Sequence, residues 1–536
     1  MPAGASSPLV SPSSIHPVED KTDKSLPIEE CALRQDFGVY QILLLFVTQL
    51  SYFPVAASML STSFLLPSKE YCNTRRQSEN GSDASGEFHS LLFEWGLECS
   101  SKASTISTSL SVTLMSGAFV GSILAGFISD RYGRRPVVIG SLLILGAWNL
   151  LLLVMKNLSW SFSLPVYFLL GTSTGGYMTT NLVLIVEMLR GRASHLLVVA
   201  LNGWSLSLAA TGGLAFFISH FTTFHSVVSF LACSLAVLLF FISDESLAWL
   251  SVTHRKRRFW KAAERLAKFN GYSSARDVAL VRALSPRLNA ASPRDEPRFR
   301  QGCSGLLGSP RLRRSLFALC YMFCVNSVVS FGFYINVDKI GGNKYANMAI
   351  MGVAKFVLGL LPFVVSRWLS RRIVAILSVA TAALSACSLY AWQLLGSEIS
   401  VPTTLLSLTV VASLDPTWKV LHLYSTQLFP THVRSTARGI CNAAARGGSV
   451  VAPAVLLLRE LSLAVPYGIC AAALCIQLAI FFFAVPDEER EEDEKDEEAE
   501  SPSIDSDGEM EMQSTDPTSD STANLYVRKT QHYVII

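Results

Sequence analysis

Four ionisable residues fall in stretches otherwise apolar enough to lie in a membrane: Lys355, Asp415, Lys419 and Arg446. A charge at mid-bilayer costs at least ~2.5 kcal/mol on insertion scales, so such groups face a partner or a cavity. Asp415 and Lys419 are four residues apart on one helical face and neutralise each other. Lys355 and Arg446 are then left without an obvious local acid. Two uncompensated cations in a low-dielectric cavity attract an anion, and a guanidinium offers a planar fork suited to a carboxylate or sulfate. The structural alternative is that both cations pair with carbonyls or with Asp415 from another span. Tyr52, Trp204, Phe331 and Tyr334 lie in similar stretches, where they either line a cavity for a flat organic molecule or pack against lipid and neighbouring helices. No Ser/His/Asp set, Walker loop, CxxC pair or metal-ligand spacing occurs, so neither catalysis nor a cofactor, metal or nucleic acid is expected.

The elements that must position these residues are membrane helices. The chain has 536 residues, half of them hydrophobic and only 16% charged, with a mean hydropathy of +0.38, which excludes an ordinary cytosolic enzyme. Apolar stretches of spanning length lie near 40–61, 105–128, 137–155, 163–187, 194–219 and 226–244, and again near 315–336, 345–366, 373–394, 402–426, 435–458 and 461–485. The expectation is an all-α polytopic protein of twelve transmembrane helices in two six-helix halves, 36–245 and 315–485. Arg131, Arg134 and Arg135, then Arg190 and Arg192, Arg367, Arg371 and Arg372, and Arg434 and Arg438 fall in alternate short loops, which the positive-inside rule places in the cytoplasm. Both termini then lie inside, and residues 1–35 carry no apolar signal segment. Glu187 ends span four beside two of these arginines and reads as part of a cytoplasmic ion-pair cluster.

Two polar blocks cannot cross a bilayer. Residues 246–314 hold 16 Lys and Arg against 4 acids and suit the anionic inner leaflet, with an amphipathic segment over 257–270. The tail 486–536 is acidic and disordered by composition, with 17 acids and 4 bases from residue 487 onward. It ends Tyr533-Val534-Ile535-Ile536, which reads as a sorting signal or as a PDZ-domain ligand. The loop 62–104 is the one long outer loop; it carries a sequon at Asn80 and two cysteines, Cys72 and Cys99, on the oxidising side, where a glycan and a disulfide are expected.

The sharpest local pattern runs from Gly126 through Asp130, Arg131, Gly133, Arg134 and Arg135 to Pro136, between spans two and three. Gly133 suits a positive φ, Pro136 a first helical turn, and Asp130 a nearby guanidinium. This turn, with six spans, a basic loop and six more spans, resembles the major facilitator superfamily, whose two halves rock about a central cavity. Phe37-Gly38-Val39-Tyr40-Gln41, Glu94-Trp95-Gly96-Leu97-Glu98-Cys99, the stretch from Ala262 to Asn270-Gly271, Asn326-Ser327, and the run from Leu428 to Arg434 are similar to its organic cation/anion transporter family over about residues 36–488. The segment Ala445-Arg446-Gly447-Gly448-Ser449 looks like the span-eleven arginine motif of the anion branch. The chain departs from the family pattern at Asp244–Leu250, Tyr167, Gln427 and Ser370-Arg371-Arg372, which puts the cytoplasmic charge network in question.

The resemblance implies a plasma-membrane transporter of small organic ions, anions above all; exchange or facilitated diffusion is expected because Asp415, the only acid in mid-membrane, has a partner in Lys419. Arg446, Lys355, Tyr334, Phe331, Asn326, Trp204 and Tyr52 would meet the substrate, while Gly126, Asp130, Arg131, Gly133, Arg134, Arg135, Glu187 and Arg434 would serve gating. The rivals are a non-transporting receptor or scaffold on the same fold, and a transporter of organic cations or zwitterions.

Overall fold

The computed structural model describes residues 38–68, 71–73, 87–189, 198–253, 255–270, 308–335, 337, 342–365, 368–395, 400–429, 431–460, 462 and 464–484. Nine helices among these are long and apolar enough to cross a membrane: α1 Val39–Phe64, α2 Ala103–Tyr132, α3 Arg134–Met155, α5 Val198–Phe217, α6 Phe221–Ile242, α7 Pro310–Ile335, α8 Lys344–Val365, α9 Arg371–Leu394 and α12 Ala464–Phe483. Three more are as long but less apolar: α4 Ser163–Met188, α10 Ser400–Gln427 and α11 Thr431–Leu457. Their Gly, Thr, Ser and charged residues suit an interior shared with other helices rather than a lipid face.

Close packing is set where side chains are missing. A Cβ on Gly121 would stand 2.1 Å from the Thr172 carbonyl oxygen, and one on Gly175 would stand 2.1 Å from that of Ala118. These spacings bring α2 and α4 into backbone contact, which Gly117 and Gly121 on one helix and Gly171 and Gly175 on the other, each four apart, permit. Bulky residues face outward instead: Phe230, Phe240, Phe241, Leu384 and Phe483 are all exposed, as lipid-facing positions require.

Gly133 turns α2 into α3 with φ 114°. The carboxylate of Glu245, just beyond α6, fills the space a side chain there would occupy and accepts from Arg134 N at 2.8 Å and Arg135 N at 3.2 Å. It satisfies amides at the helix start and matches the positive end of the α3 dipole. Beyond α6, the amphipathic helix Lys256–Phe269 buries Phe259, Ala262, Ala263 and Leu266. Asn270 follows it and accepts from Tyr40 N at 3.0 Å, tying this helix to the start of α1. Helix α7 begins at Pro310, five residues before the expected boundary, so Arg311, Arg313 and Arg314 form its first turn rather than the end of a loop.

At the opposite end Cys72 and Cys99 form a disulfide, with Cα atoms 5.6 Å apart. Asn80 lies outside the described residues, as do residues 1–37, 271–307 and 485–536, with the C-terminal four among them.

Candidate functional site

A cavity of about 530 Å³ lies between the first six and the last six long helices, within the usual size range for small-molecule sites. It is lined by Tyr52 from α1, Trp204 from α5, Phe331 and Tyr334 from α7, Lys355 from α8, Asp415, Trp418, Lys419 and His422 from α10, and Arg438, Asn442 and Arg446 from α11. The same cavity reaches Gly126, Asp130, Arg134 and Glu187 at the turn-motif end.

At the disulfide end the two sets of helices touch. Lys344 Nζ, at the start of α8, lies 2.7 Å from Glu87 Oε2 and donates to the Leu66 carbonyl at 3.3 Å. The ring of Tyr345 stacks on Phe64 with centroids 5.6 Å apart. Burial raises the carboxyl pKa of Glu87, but the Lys344 charge and the bonds from Lys344 and Ser68 outweigh it and hold the group below its ordinary value.

The intramembrane charges are arranged differently from the sequence expectation. Lys355 is not free: its Nζ lies 2.8 Å from Asp415 Oδ1, whereas Lys419, on Asp415's own helix, is 3.6 Å from Oδ2. One carboxylate therefore serves two ammonium groups, and the nearer comes from another helix. Space for this is made by Gly359, where a Cβ would stand 2.2 Å from Asp415 Oδ2. Lys355 also sits over the Tyr334 ring at 5.8 Å.

Arg446 lines the cavity, and among the described residues no carboxylate lies within ion-pair distance of it. Arg438, which the sequence places in a loop beside Arg434, lies instead on the cavity wall and likewise has no carboxylate partner among the described residues. The repeat Arg438, Asn442, Arg446 at intervals of four is the signal that places all three on one helical face. Trp418 and His422, stacked at 5.8 Å, are further cavity residues, and nothing in their spacing along the chain singles them out.

Among the aromatic residues, Trp204 and Phe331 meet at 6.0 Å and Phe331 and Tyr334 at 5.5 Å, making a shared wall across the two sets of helices. Tyr52 packs edge-on against Tyr177 at 5.5 Å and faces the same space. Asn326 does not join them: it is fully buried and accepts from Gln477 Nε2 at 3.0 Å, joining α7 to α12 away from the cavity.

The charge network at the turn-motif end is assembled despite the departures in sequence. Arg134 Nη2 lies 2.9 Å from Asp130 Oδ1, its Nε donates to Glu187 Oε1 at 3.3 Å, and its Nη1 donates to the Ser129 carbonyl at 2.9 Å. Trp249, within the altered segment 244–250, donates its indole N–H to the Asp130 carbonyl at 2.9 Å. Arg131 is exposed over the Tyr132 ring, and Arg135 sits over Phe240 at 5.2 Å. Arg434 is within α11, with its side chain outside the description.

Residues 43–453 match the profile of the Major Facilitator Superfamily. The chain belongs to that superfamily. Its relatives include the "Organic cation transporter protein" of Drosophila melanogaster, 27% identical over 396 residues, covering 73% of this chain and 70% of that one. "Organic anion transporter 3" of Homo sapiens is 26% identical over 395 residues, covering 71% and 69%. The inward-open xylose transporter XylE from E. coli has the same fold, with a TM-score of 0.59 at 13% identity, covering 83% of this chain and 97% of that chain. The resemblance read from the motifs and the twelve-helix fold class both stand, and the chain is a multi-pass membrane protein of transporter type.

Proposed function

We propose that this chain moves small organic anions across the plasma membrane by alternating access, as exchange or facilitated diffusion. The observation that carries the reading is the pair Arg438 and Arg446, two guanidinium groups on one wall of the cavity with no carboxylate to pair with among the described residues. A guanidinium drawn out of bulk water is stabilised by a charged acceptor, and a carboxylate or sulfate fits its fork. Organic cations find less here, because Asp415 is already held between Lys355 and Lys419. That distinction favours the anion-transporting relatives over the cation-transporting one. The faces of Trp204, Phe331, Tyr334 and Trp418 suit a flat organic body attached to the anionic group.

In this reading the turn-motif end and both termini are cytoplasmic, and the disulfide loop is outside with a glycan at Asn80. The cavity then faces the cytoplasm, and the contacts of Lys344 and Tyr345 close the outer side. Rocking of the halves 36–245 and 315–485 breaks those contacts and closes the cytoplasmic side. The residues after 485 form an acidic tail whose last four engage a PDZ domain or a sorting adaptor. A receptor without transport is disfavoured by the assembled group of Asp130, Arg134, Glu187 and Glu245, which a rocking cycle requires and a static scaffold does not.

The test is uptake of a mixed panel of organic anions and organic cations in cells expressing the protein, with surface abundance measured in parallel. Anion-selective uptake is expected. Normal surface abundance without flux would return the receptor reading, and cation-selective uptake would reverse the charge preference.

A further inference from the structure

The helix Lys256–Phe269 has a second face that the transport reading does not use. Placed at 100° per residue, Arg257, Lys268, Lys261, Arg265 and Arg258 fall within an arc of roughly 100°, opposite the buried Phe259, Ala263 and Leu266. All five cations are exposed. Lys268 pairs with Glu264 at 3.2 Å and Arg265 with Asp244 at 3.2 Å, while Arg257, Arg258 and Lys261 have no carboxylate within ion-pair distance among the described residues.

The position of this stripe is fixed by its ties to the membrane helices. Arg265 Nη2 donates to the Phe241 carbonyl at the end of α6, and Arg135, from the start of α3, donates to the neighbouring Phe240 carbonyl. Phe240 and Phe241 are 56% and 64% exposed, so they mark where the lipid-facing surface of α6 ends. Phe269 packs edge-on against Tyr40 at the start of α1 with centroids 5.8 Å apart, and is itself 44% exposed. The cationic stripe therefore begins beside the exposed aromatic residues at the end of α6.

We propose that the exposed face of Lys256–Phe269 is a binding surface for anionic phospholipid headgroups at the turn-motif end of the bundle. Charge complementarity supports this occupant, and continuity with exposed Phe240, Phe241 and Phe269 favours a lipid, which brings acyl chains to those rings, over a soluble acidic segment. The surface does not depend on what the central cavity carries.

The test uses the full chain in nanodiscs of phosphatidylcholine alone and with about 30% phosphatidylserine, conditions under which juxtamembrane cations bind measurably. Two readouts serve: hydrogen–deuterium exchange over 256–269, and retention of phosphatidylserine by native mass spectrometry. Phosphatidylserine should slow exchange of this helix, and the effect should fade as salt rises. Arg257→Gln, Arg258→Gln, Lys261→Gln and Lys268→Gln, combined in one variant, should abolish the lipid dependence. Retention should fall by about fivefold per cation removed, the equivalent of ~1 kcal/mol each. Arg265 is left intact because it holds Asp244 and the end of α6. Exchange that is the same in both lipids would overturn the proposal. So would protection that ignores lipid composition and disappears on deleting residues 487–536, since the acidic tail would then be the occupant. If the variant is too unstable to reconstitute, the lipid and salt dependence of the wild-type chain decides between the same outcomes.

Discussion

Replacing Asp415 by Asn keeps the size of the side chain and removes the one negative charge between two ammonium groups. Lys355 Nζ lies 2.8 Å from this carboxylate and Lys419 Nζ 3.6 Å, with side-chain exposures of 1% and 8%. At an effective dielectric of about 20 the gross attractions are roughly 6 and roughly 5 kcal/mol, most of which offsets the desolvation of the charges. What remains visible is the cost of leaving a buried charge unpaired, about 3–5 kcal/mol. Asp415→Asn should therefore melt well below wild type in detergent and reach the surface poorly. Adding Lys355→Met removes the more buried ammonium while filling the same space, and should recover at least half of the loss. Lys419→Met should rescue less, being the longer and more exposed partner. A double-mutant cycle measures this coupling, since residues in direct contact depart from additivity. If Asp415→Asn melts like wild type, or Lys355→Met adds to the damage, the shared-carboxylate arrangement is wrong.

At the disulfide end, the Glu87 carboxyl is held below its ordinary value of 4.5, so its pairing with Lys344 is fully present above that pH and is lost as pH falls through the depressed value. Glu87→Gln, or external acidification through that depressed value, should increase labelling of a cysteine placed at Ser330 by an impermeant reagent; equal labelling would mean the pair does not hold the outer side closed. Gly175→Val should cost at least ~1–3 kcal/mol and reduce folded yield, because its Cβ would stand 2.1 Å from the Ala118 carbonyl oxygen. Gly140→Ala, with nothing within 4 Å of its Cβ, should be neutral or stabilise by up to about 1 kcal/mol; the reverse ranking by thermal melting would contradict the packing of α2 on α4. An epitope at residue 84 should be reached on intact cells, epitopes at 290 and 510 only after permeabilisation, and Asn80→Gln should remove the mass of a glycan.

The fold was legible because its signals are local and long: apolar stretches of spanning length, arginines in alternate loops, and a turn whose Gly133 and Asp130 each have a stated role. Helices α4, α10 and α11 were recognisable although their polar content lowers their hydropathy, since length and spacing carried them. The positions of the cavity residues were largely legible too, but their partners were not. Spacing within one helix suggests Asp415 with Lys419, whereas the shorter contact comes from Lys355 on α8 and depends on the missing side chain of Gly359. Asn326 read as a site residue but turns to Gln477 on α12, a choice made by the rotation of α7 and invisible along the chain. Arg438 was within reach, since it shares a helical face with Asn442 and Arg446, but its nearness to Arg434 drew it into the loop. The altered segment 244–250 suggested a weakened charge network, yet Glu245 and Trp249 still meet the turn because those contacts need a carboxylate and an indole rather than the whole family pattern.

Whether unpaired arginines hold the anion is decided by organic-anion uptake through Arg446→Ala, normalised to surface abundance. Removing one desolvated charge-assisted contact costs ~2–5 kcal/mol, so uptake should fall at least tenfold while surface abundance stays near wild type. Arg446→Lys should recover only part of the loss, because a point charge does not reproduce the bidentate fork. Unchanged anion uptake in a well-expressed Arg446→Ala protein would mean that Arg446 does not hold the anion, and poor expression of that variant rescued by Asp415→Ala would make Arg446 a structural partner of the carboxylate.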